Sequence, residues 1–474
     1  MVTGDVPNET ELAVIGAGSG GYVTAIRAGQ LGLDVTLIES DAIGGVCLNY
    51  GCIPSKALIT AADVAYEAGH AESMGVYADP DVRMDEMRSW KDGVVDRLTG
   101  GVEKLCEANG ATIVEGRAEF VDEHTLRVVH DGEGSDPAHL TFDNAVIATG
   151  SRPIEVPGFA FDGESILSSR EVLDLETVPN SVLIVGAGYI GMELSTVLAK
   201  LGADVQVVEI LDDVLPGYGA RLVRPVKRRA EELGIDISFG EAAADWEKAG
   251  DGVVVTTETE EGEQTTYEAE MAIVAVGREA VTDTVDLDAI GLEPNDAGFL
   301  EIDEEARTDL DHVFAVGDVA GEPLLAHKAS AEGIVAAEVA AGEASTLDHE
   351  AIPAAVFTDP EIGTVGLTEA AAEEAGFDPV VGTFRFGANG RALTTGHADG
   401  MVRIVADGGT GGILGAQIVG PEASELIAEL GLAVETGATL EDVAGTIHSH
   451  PTLSESVMEA AEHALGRAIH TANR

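Results

Sequence analysis

Positive charge is scarce in this sequence. Its 474 residues hold 26 Lys and Arg against 85 Asp and Glu, a formal charge of −59. Nucleic acid and anionic membranes are polyanions, so that deficit argues against both as partners. Charged residues as a whole make up an ordinary 23% and apolar residues 45%, enough to build cores. Apolar β-branched runs such as Leu12–Ile15 and Val182–Val185 recur, which speaks against disorder. Self-repulsion at this charge is severe in dilute buffer and falls away in molar salt, where the Debye length is roughly 3 Å. The composition therefore points to a source with a very salty cytoplasm.

Other absences narrow the class. No run approaches the roughly 18 uncharged apolar residues of a membrane span. No basic residue precedes Arg27, so the apolar stretch from Leu12 lacks the charged region of a secretory signal, and a cytoplasmic protein is expected. The three cysteines are too few for a secreted disulfide framework. The length predicts two to four domains.

What is present is an internal duplication. Leu12-Ala13-Val14-Ile15 runs into Gly16-Ala17-Gly18-Ser19-Gly20-Gly21, then a helical stretch, then Val35-Thr36-Leu37-Ile38-Glu39. The pattern returns with Val182–Val185, with Gly186, Gly188 and Gly191, and with Val205–Glu209, at an offset of 170 residues. In each copy the first glycine permits a tight turn, the second lets backbone approach a pyrophosphate, and the third lets helix and strand pack closely. The helix N-terminus then faces the anion. Glu39 and Glu209 stand where an acid accepts hydrogen bonds from an adenosine ribose. Two complete units predict two bound dinucleotides. Glu209 favours NAD over NADP, and 210–220 holds no Lys or Arg to receive a 2′-phosphate.

Further strands are expected at Ala145–Gly150, Ile273–Arg278 and Val313–Asp318, ending where open α/β sheets bind ligands. Beyond about 351 the text changes to an α+β pattern with strands near Met401–Val405 and Gly412–Val419. Residues 131–137 read as a solvated turn.

Cys47 and Cys52 lie in Gly44-Gly45-Val46-Cys47-Leu48-Asn49-Tyr50-Gly51-Cys52-Ile53-Pro54-Ser55-Lys56, directly after Glu39. Three readings compete: a zinc site, two inert cysteines, and a redox disulfide. Zinc needs about four ligands, and no other Cys or His lies nearby. Inert cysteines would not need the surrounding glycines. A bridge requires Cα atoms within about 7 Å. An i, i+5 pair in a regular helix is separated by about 7.5 Å along the axis alone, so a bridge predicts distortion at Leu48–Gly51. Cys106 falls on a helix face and reads as a buried apolar residue.

With these motifs in order, the chain resembles the pyridine nucleotide–disulfide oxidoreductases over essentially its whole length. The most specific matches are the cysteine box at 44–56 and the string His448-Ser449-His450-Pro451-Thr452-Leu453-Ser454-Glu455. The resemblance implies an α/β fold of two Rossmann-like domains, for FAD and NAD, plus a C-terminal α+β dimerisation domain. It divides the chain into 1–152 and 280–350 for FAD, 153–279 for NAD and 351–474 for dimerisation. Within the family it points to the branch that oxidises dihydrolipoyl groups with NAD. The alternative is another disulfide reductase of the family, such as a glutathione-type enzyme, although those usually read an NADP pattern. No cysteine follows Cys106, unlike the mercuric and large thioredoxin reductases. A pyridine nucleotide transhydrogenase would not need both cysteines, and a non-catalytic scaffold would not need the full set.

The same resemblance implies residue roles. Cys47 exchanges with the dithiol substrate. Cys52 faces the flavin, its thiolate stabilised by charge transfer to the ring. His450, from the other subunit of a homodimer, acts as base with Glu455 orienting it; the resemblance gives His448 no such role. Lys56 sits by the flavin with Glu193 supporting it. Gly16, Gly18, Gly21, Glu39, Gly45, Ala118, Thr149, Gly150, Asp318 and Ala326 belong to the FAD site. Gly186, Gly188, Tyr189, Ile190, Gly191, Glu209, Gly277 and Arg278 belong to the NAD site. No metal is implied. The lipoyl partner is the acyltransferase of a 2-oxoacid dehydrogenase complex or a glycine-cleavage carrier.

Overall fold

The computed structural model describes residues 6–130 and 137–473. The turn expected at 131–137 lies, except for Pro137, outside the described residues.

The apolar runs form central parallel strands. Glu9–Ile15 pairs with Val35–Glu39 on one side and Ala138–Ile147 on the other. Thr112–Glu115 extends the sheet beyond Val35–Glu39, and Val313–Ala315 joins from far along the chain beside Ala138–Ile147. Leu12 to Ile15 are all buried, as a strand covered on both faces requires. Alternate side chains serve different cores. Leu12 and Val14 pack with Ala25, Ala28, Val335 and Ala336 of the helices Ser19–Gln30 and Ala326–Ala340. Ala13 and Ile15 pack with Phe120, Leu126 and Leu140 on the other side. Each such Leu or Ile stabilises the fold by about 1.5–3 kcal/mol of burial.

The second unit repeats this plan. Ser181–Val185 lies between Asp204–Glu209 and Met271–Val274, all parallel, with Asp236–Phe239 beyond. A three-stranded antiparallel sheet, Glu241–Ala249, Gly252–Thr259 and Gln264–Ala269, is attached to it. The last part of the chain is a five-stranded antiparallel sheet in the order Ala354–Val356, Glu361–Gly366, Ile413–Gly420, Met401–Asp407, Pro379–Arg385. Helices Ala423–Glu435 and Glu455–Ala464 cover it, sharing a core with Val402, Ile404, Ile418 and Phe386.

One core joins all three parts. Leu58 and Ala62 of the helix Cys52–Gly69 pack with Val182, Ile184, Met192 and Leu194 of the second unit and with Val356, Ile362 and Val419 of the last sheet. The cysteine box is thereby seated where the three parts meet.

Candidate active site

The two glycine turns are built alike. Gly16 has φ +100°, and a Cβ there would lie 2.4 Å from the Ala148 carbonyl oxygen; for Gly186 the values are +103° and 2.6 Å from that of Ala275. Neither position admits a side chain. Gly21 and Gly191 let each helix close on its turn, since a Cβ would meet the Gly16 or Gly186 oxygen at 1.8 or 2.0 Å. Gly18 and Gly188 differ: no atom lies within 4 Å of a Cβ built there. Each caps a helix, Ser19–Gln30 or Tyr189–Lys200, and no side chain caps the first turn. The open N–H groups and the helix dipole suit a pyrophosphate.

The two acids also match. Glu39 accepts hydrogen bonds from the N–H of Ala17 at 2.6 Å and of Asp41 at 2.8 Å. Glu209 accepts from Ala187 at 2.6 Å and Leu211 at 2.9 Å. Each carboxylate ties the end of its strand to the glycine turn. Burial pushes the Glu39 carboxyl up despite those N–H groups.

A cavity of about 940 Å³ gathers most of the expected residues. Gly16, Gly18, Glu39, Gly45, Cys47, Cys52, Lys56, Ala118, Thr149, Gly150, Asp318 and Ala326 line it, together with Tyr189, Ile190, Glu193 and Arg278. Gly21, Gly186, Gly188, Gly191, Glu209 and Gly277 do not line it; they belong to the packing of the first turn and to the second turn and its neighbouring strand end. The cavity wall thus holds an open helix N-terminus, a strand-end carboxylate and the cysteine pair, a donor set that fits a flavin dinucleotide.

Ser151 organises one wall and escaped the sequence reading. Its hydroxyl donates to Asp318, while Arg278 donates to the Ser151 hydroxyl at 2.8 Å and to its carbonyl at 2.6 Å. Arg278 therefore reaches the residues around Asp318 as well as the second unit. Two more unread residues support the Asp318 turn from below. Glu332 accepts from the Gly317 N–H at 2.7 Å, and Lys328 donates to the Gly321 carbonyl at 2.7 Å. The two side chains, both buried, pair at 2.9 Å. Nothing in the sequence marks Ser151, because its partners lie more than 120 residues away.

The cysteine box folds as two helices with a break. Gly45–Asn49 ends at Tyr50, and Cys52–Gly69 begins after Gly51. A Cβ on Gly51 would lie 3.0 Å from the Val46 oxygen, so close backbone approach accounts for the glycine. Asn49 donates to the carbonyls of Ile43 at 3.0 Å and Gly45 at 2.9 Å and braces the turn from within. Cys47 is half-buried, Cys52 is exposed to the cavity, and both are thiols. The two thiols influence each other, and that coupling is the largest cause of the shift at each sulfur. The Cys47 thiol beside it lowers Cys52 to about 7; burial opposes the shift and the Lys56 ammonium aids it. Cys52, together with burial, pushes Cys47 up. Cys52 opens its helix, where the dipole favours a thiolate. One turn on, Lys56 Nζ lies 2.7 Å from Glu193 and 4.6 Å from the centre of the Phe357 ring. The other Glu193 oxygen accepts the Phe357 N–H at 2.8 Å. Cys106 is fully buried in the helix Met84–Ala108, and burial pushes its thiol up to about 11.

His450 stands apart from the cavity. Its side chain is 79% exposed, and its Nδ1 lies 2.9 Å from Glu455. Glu455, at the start of the helix Glu455–Ala464, also accepts the Thr452 N–H at 2.9 Å. Burial would raise this carboxyl, but the Thr452 N–H and the imidazole hold it below the usual range. The His448 side chain is buried between Glu429 at 2.8 Å and the Thr446 carbonyl at 2.9 Å.

Residues 10–333 match the family described as pyridine nucleotide-disulphide oxidoreductase, and residues 352–461 match its dimerisation domain. The chain belongs to the pyridine nucleotide–disulphide oxidoreductases. The dihydrolipoyl dehydrogenases of Halobacterium salinarum and Haloferax volcanii are 68% and 64% identical to it, each covered end to end. That of Geobacillus stearothermophilus is 48% identical over 99% of both chains. Among solved structures, LpdA from Mycobacterium tuberculosis superposes with a TM-score of 0.89 at 28% identity, over 96% of this chain and 99% of that one. The HOCl-induced flavoprotein disulfide reductase RclA from Escherichia coli gives 0.84 at 25%, over 95% and 99%. This oxidoreductase therefore carries two nucleotide-binding domains and a dimerisation domain, and His450 and Glu455 lie within the latter. Among the described residues no helix is long and apolar enough to cross a membrane.

Proposed function

We infer that the protein is a homodimeric dihydrolipoyl dehydrogenase, which oxidises a protein-bound dihydrolipoyl group and reduces NAD by way of FAD. The observation that carries this reading is the cavity-lining Cys47–Cys52 dithiol in a chain related over its full length to dihydrolipoyl dehydrogenases.

His450 of the partner subunit takes a proton from the substrate dithiol, since thiolate is the attacking form. Glu455 keeps the imidazole oriented, as its contact with Nδ1 allows. The substrate thiolate attacks the Cys47 sulfur of the Cys47–Cys52 disulfide, and Cys52 leaves as thiolate. The second substrate thiol then attacks the sulfur joined to Cys47, closing the lipoyl disulfide, and Cys47 is released as a thiol that takes up the proton this second thiol gives up. Lys56 and Glu193 hold the charge beside Cys52. FAD, when bound in this cavity, would supply the chemistry that carries the electron pair on to NAD.

Glu209 supports NAD as the acceptor. The acidic balance, shared salt-loving relatives and full-length match support a salt-rich cytoplasm as the compartment. The lipoyl group sits on a 2-oxoacid dehydrogenase acyltransferase or on a glycine-cleavage carrier.

Steady-state rates in molar salt test the reading, with dihydrolipoamide and glutathione each paired with NAD and NADP. Turnover of dihydrolipoamide with NAD is expected to dominate. Preference for the glutathione and NADP pair would reject it.

A further inference from the structure

The helix Cys52–Gly69 meets the helix Tyr189–Lys200 through two ion pairs of opposite sense. Lys56 lies 2.7 Å from Glu193, and seven residues further along both helices Asp63 lies 2.6 Å from Lys200. Seven residues are about two helical turns, so the two rungs share one face of each helix. Lys200 also reaches Asp359 at 2.8 Å, and Asp359 accepts from Arg229 Nε at 2.9 Å. The Lys200 side chain is only 7% exposed. Burial would raise Asp359, yet Lys200 and Arg229 hold it below the ordinary carboxylate range. The short segment from Phe357 to Asp359 touches both rungs, through the Phe357 N–H on Glu193 and the Asp359 carboxylate on Lys200.

We propose that the Asp63–Lys200–Asp359–Arg229 cluster is a positioning device that locks the register of the redox helix against the NAD-side helix and so fixes where the Lys56 ammonium stands over the cavity. The inference rests on the role given to Lys56 above. Reversed polarity is what encodes the register. A two-turn slide in one direction would bring Lys56 to Lys200, and in the other Asp63 to Glu193, each a like-charge contact in a buried place. Without Lys200, Asp63 and Asp359 face each other with only Arg229 to compensate, and the helices part at the second rung. Asp63 lies about 16 Å along its helix from Cys52, so in molar salt its direct field at that sulfur is largely screened. An effect of the cluster on Cys52 must then pass through the placement of Lys56.

The test uses the full-length, FAD-loaded protein in molar salt with Cys47→Ser, so that the Cys52 thiolate gives a long-wavelength flavin band that titrates with pH. Lys200→Met is expected to raise the midpoint and lower the thiolate fraction at pH 7 by about twofold to fivefold, the change that half a unit to one unit brings. Lys200→Arg restores the midpoint. Asp63→Asn, which serves should Lys200→Met not fold, moves it the same way by less. Lys56→Met is the reference and moves it most. An unmoved midpoint in Lys200→Met beside a shifted one in Lys56→Met overturns the inference. A lowered melting temperature with the midpoint in place does so too. A midpoint unmoved by Lys56→Met refutes instead the role given to Lys56, and with it the route by which the cluster acts.

Discussion

Cys47 and Cys52 are the same residue type five positions apart, and their surroundings give them opposite tendencies. Cys52 opens a helix, has the Cys47 thiol beside it and Lys56 one turn away, so it holds the negative charge. As pH falls through about 7 the Cys52 thiolate of the reduced enzyme takes up a proton, and its long-wavelength flavin absorbance should fade over that range. Cys47→Ser should abolish lipoamide turnover while FAD stays bound and reducible by NADH, measured by stopped-flow absorbance. For the His450–Glu455 pair, Glu455→Gln should cost about 10²-fold or more in kcat. The Glu455 carboxyl is held low, so its charged contact with His450 is intact at neutral pH and is lost only as pH falls through that lowered value. The activity of the parent enzyme should therefore not report a Glu455 titration near neutrality, which a pH–rate profile checks.

At the scale of elements, the glycine turns separate backbone demands from ligand demands. Gly186→Ala meets both a positive φ and a carbonyl at 2.6 Å, so it should destabilise the second unit by more than about 1 kcal/mol. In Gly188→Ala the added Cβ meets no protein atom within 4 Å. It should weaken NAD binding while leaving the melting temperature nearly unchanged, which calorimetry and NADH titration together decide. The central strands were legible because burial on both faces demands unbroken apolar runs, and Val35–Glu39 falls where expected. Strand ends were less so: Ala138–Ile147 begins earlier than read and stops before Thr149 and Gly150, which turn to line the cavity. The antiparallel sheet at 241–269 was not read at all. Its first strand, Glu241–Ala249, is rich in the helix formers Ala and Glu, and pairing with Gly252–Thr259 overrides that preference.

For the whole molecule, a charge of −59 makes stability a function of ionic strength. The melting temperature should be clearly higher in molar salt than in dilute buffer, and equal values would contradict the salt-adapted reading. His450 is exposed and does not line the cavity of its own chain, which the role proposed for it in a partner's site requires. Soluble monomers obtained by dissociation should keep FAD and NADH-dependent flavin reduction yet lose lipoamide turnover. Full lipoamide activity in monomers would remove His450 of the partner subunit from the mechanism.

The sequence by itself determined what depends on short spacing: two glycine turns each followed by its acid, the cysteine box, and the His-Pro-Thr string with Glu455 one helix start away. Those features are legible because turn conformation, helix-end hydrogen bonding and i, i+4 neighbours are settled by adjacent residues. Only the tertiary structure decided that Ser151 joins Asp318 to Arg278, that Lys328 and Glu332 brace the Gly317 turn, and that Asp63 and Lys200 add a second, reversed ion pair beside the expected one of Lys56 and Glu193. Most of those partners lie more than 120 residues apart, and a lone serine, lysine or aspartate has no local signature. Their meeting follows from how the sheets and helices pack, which no short stretch of sequence contains.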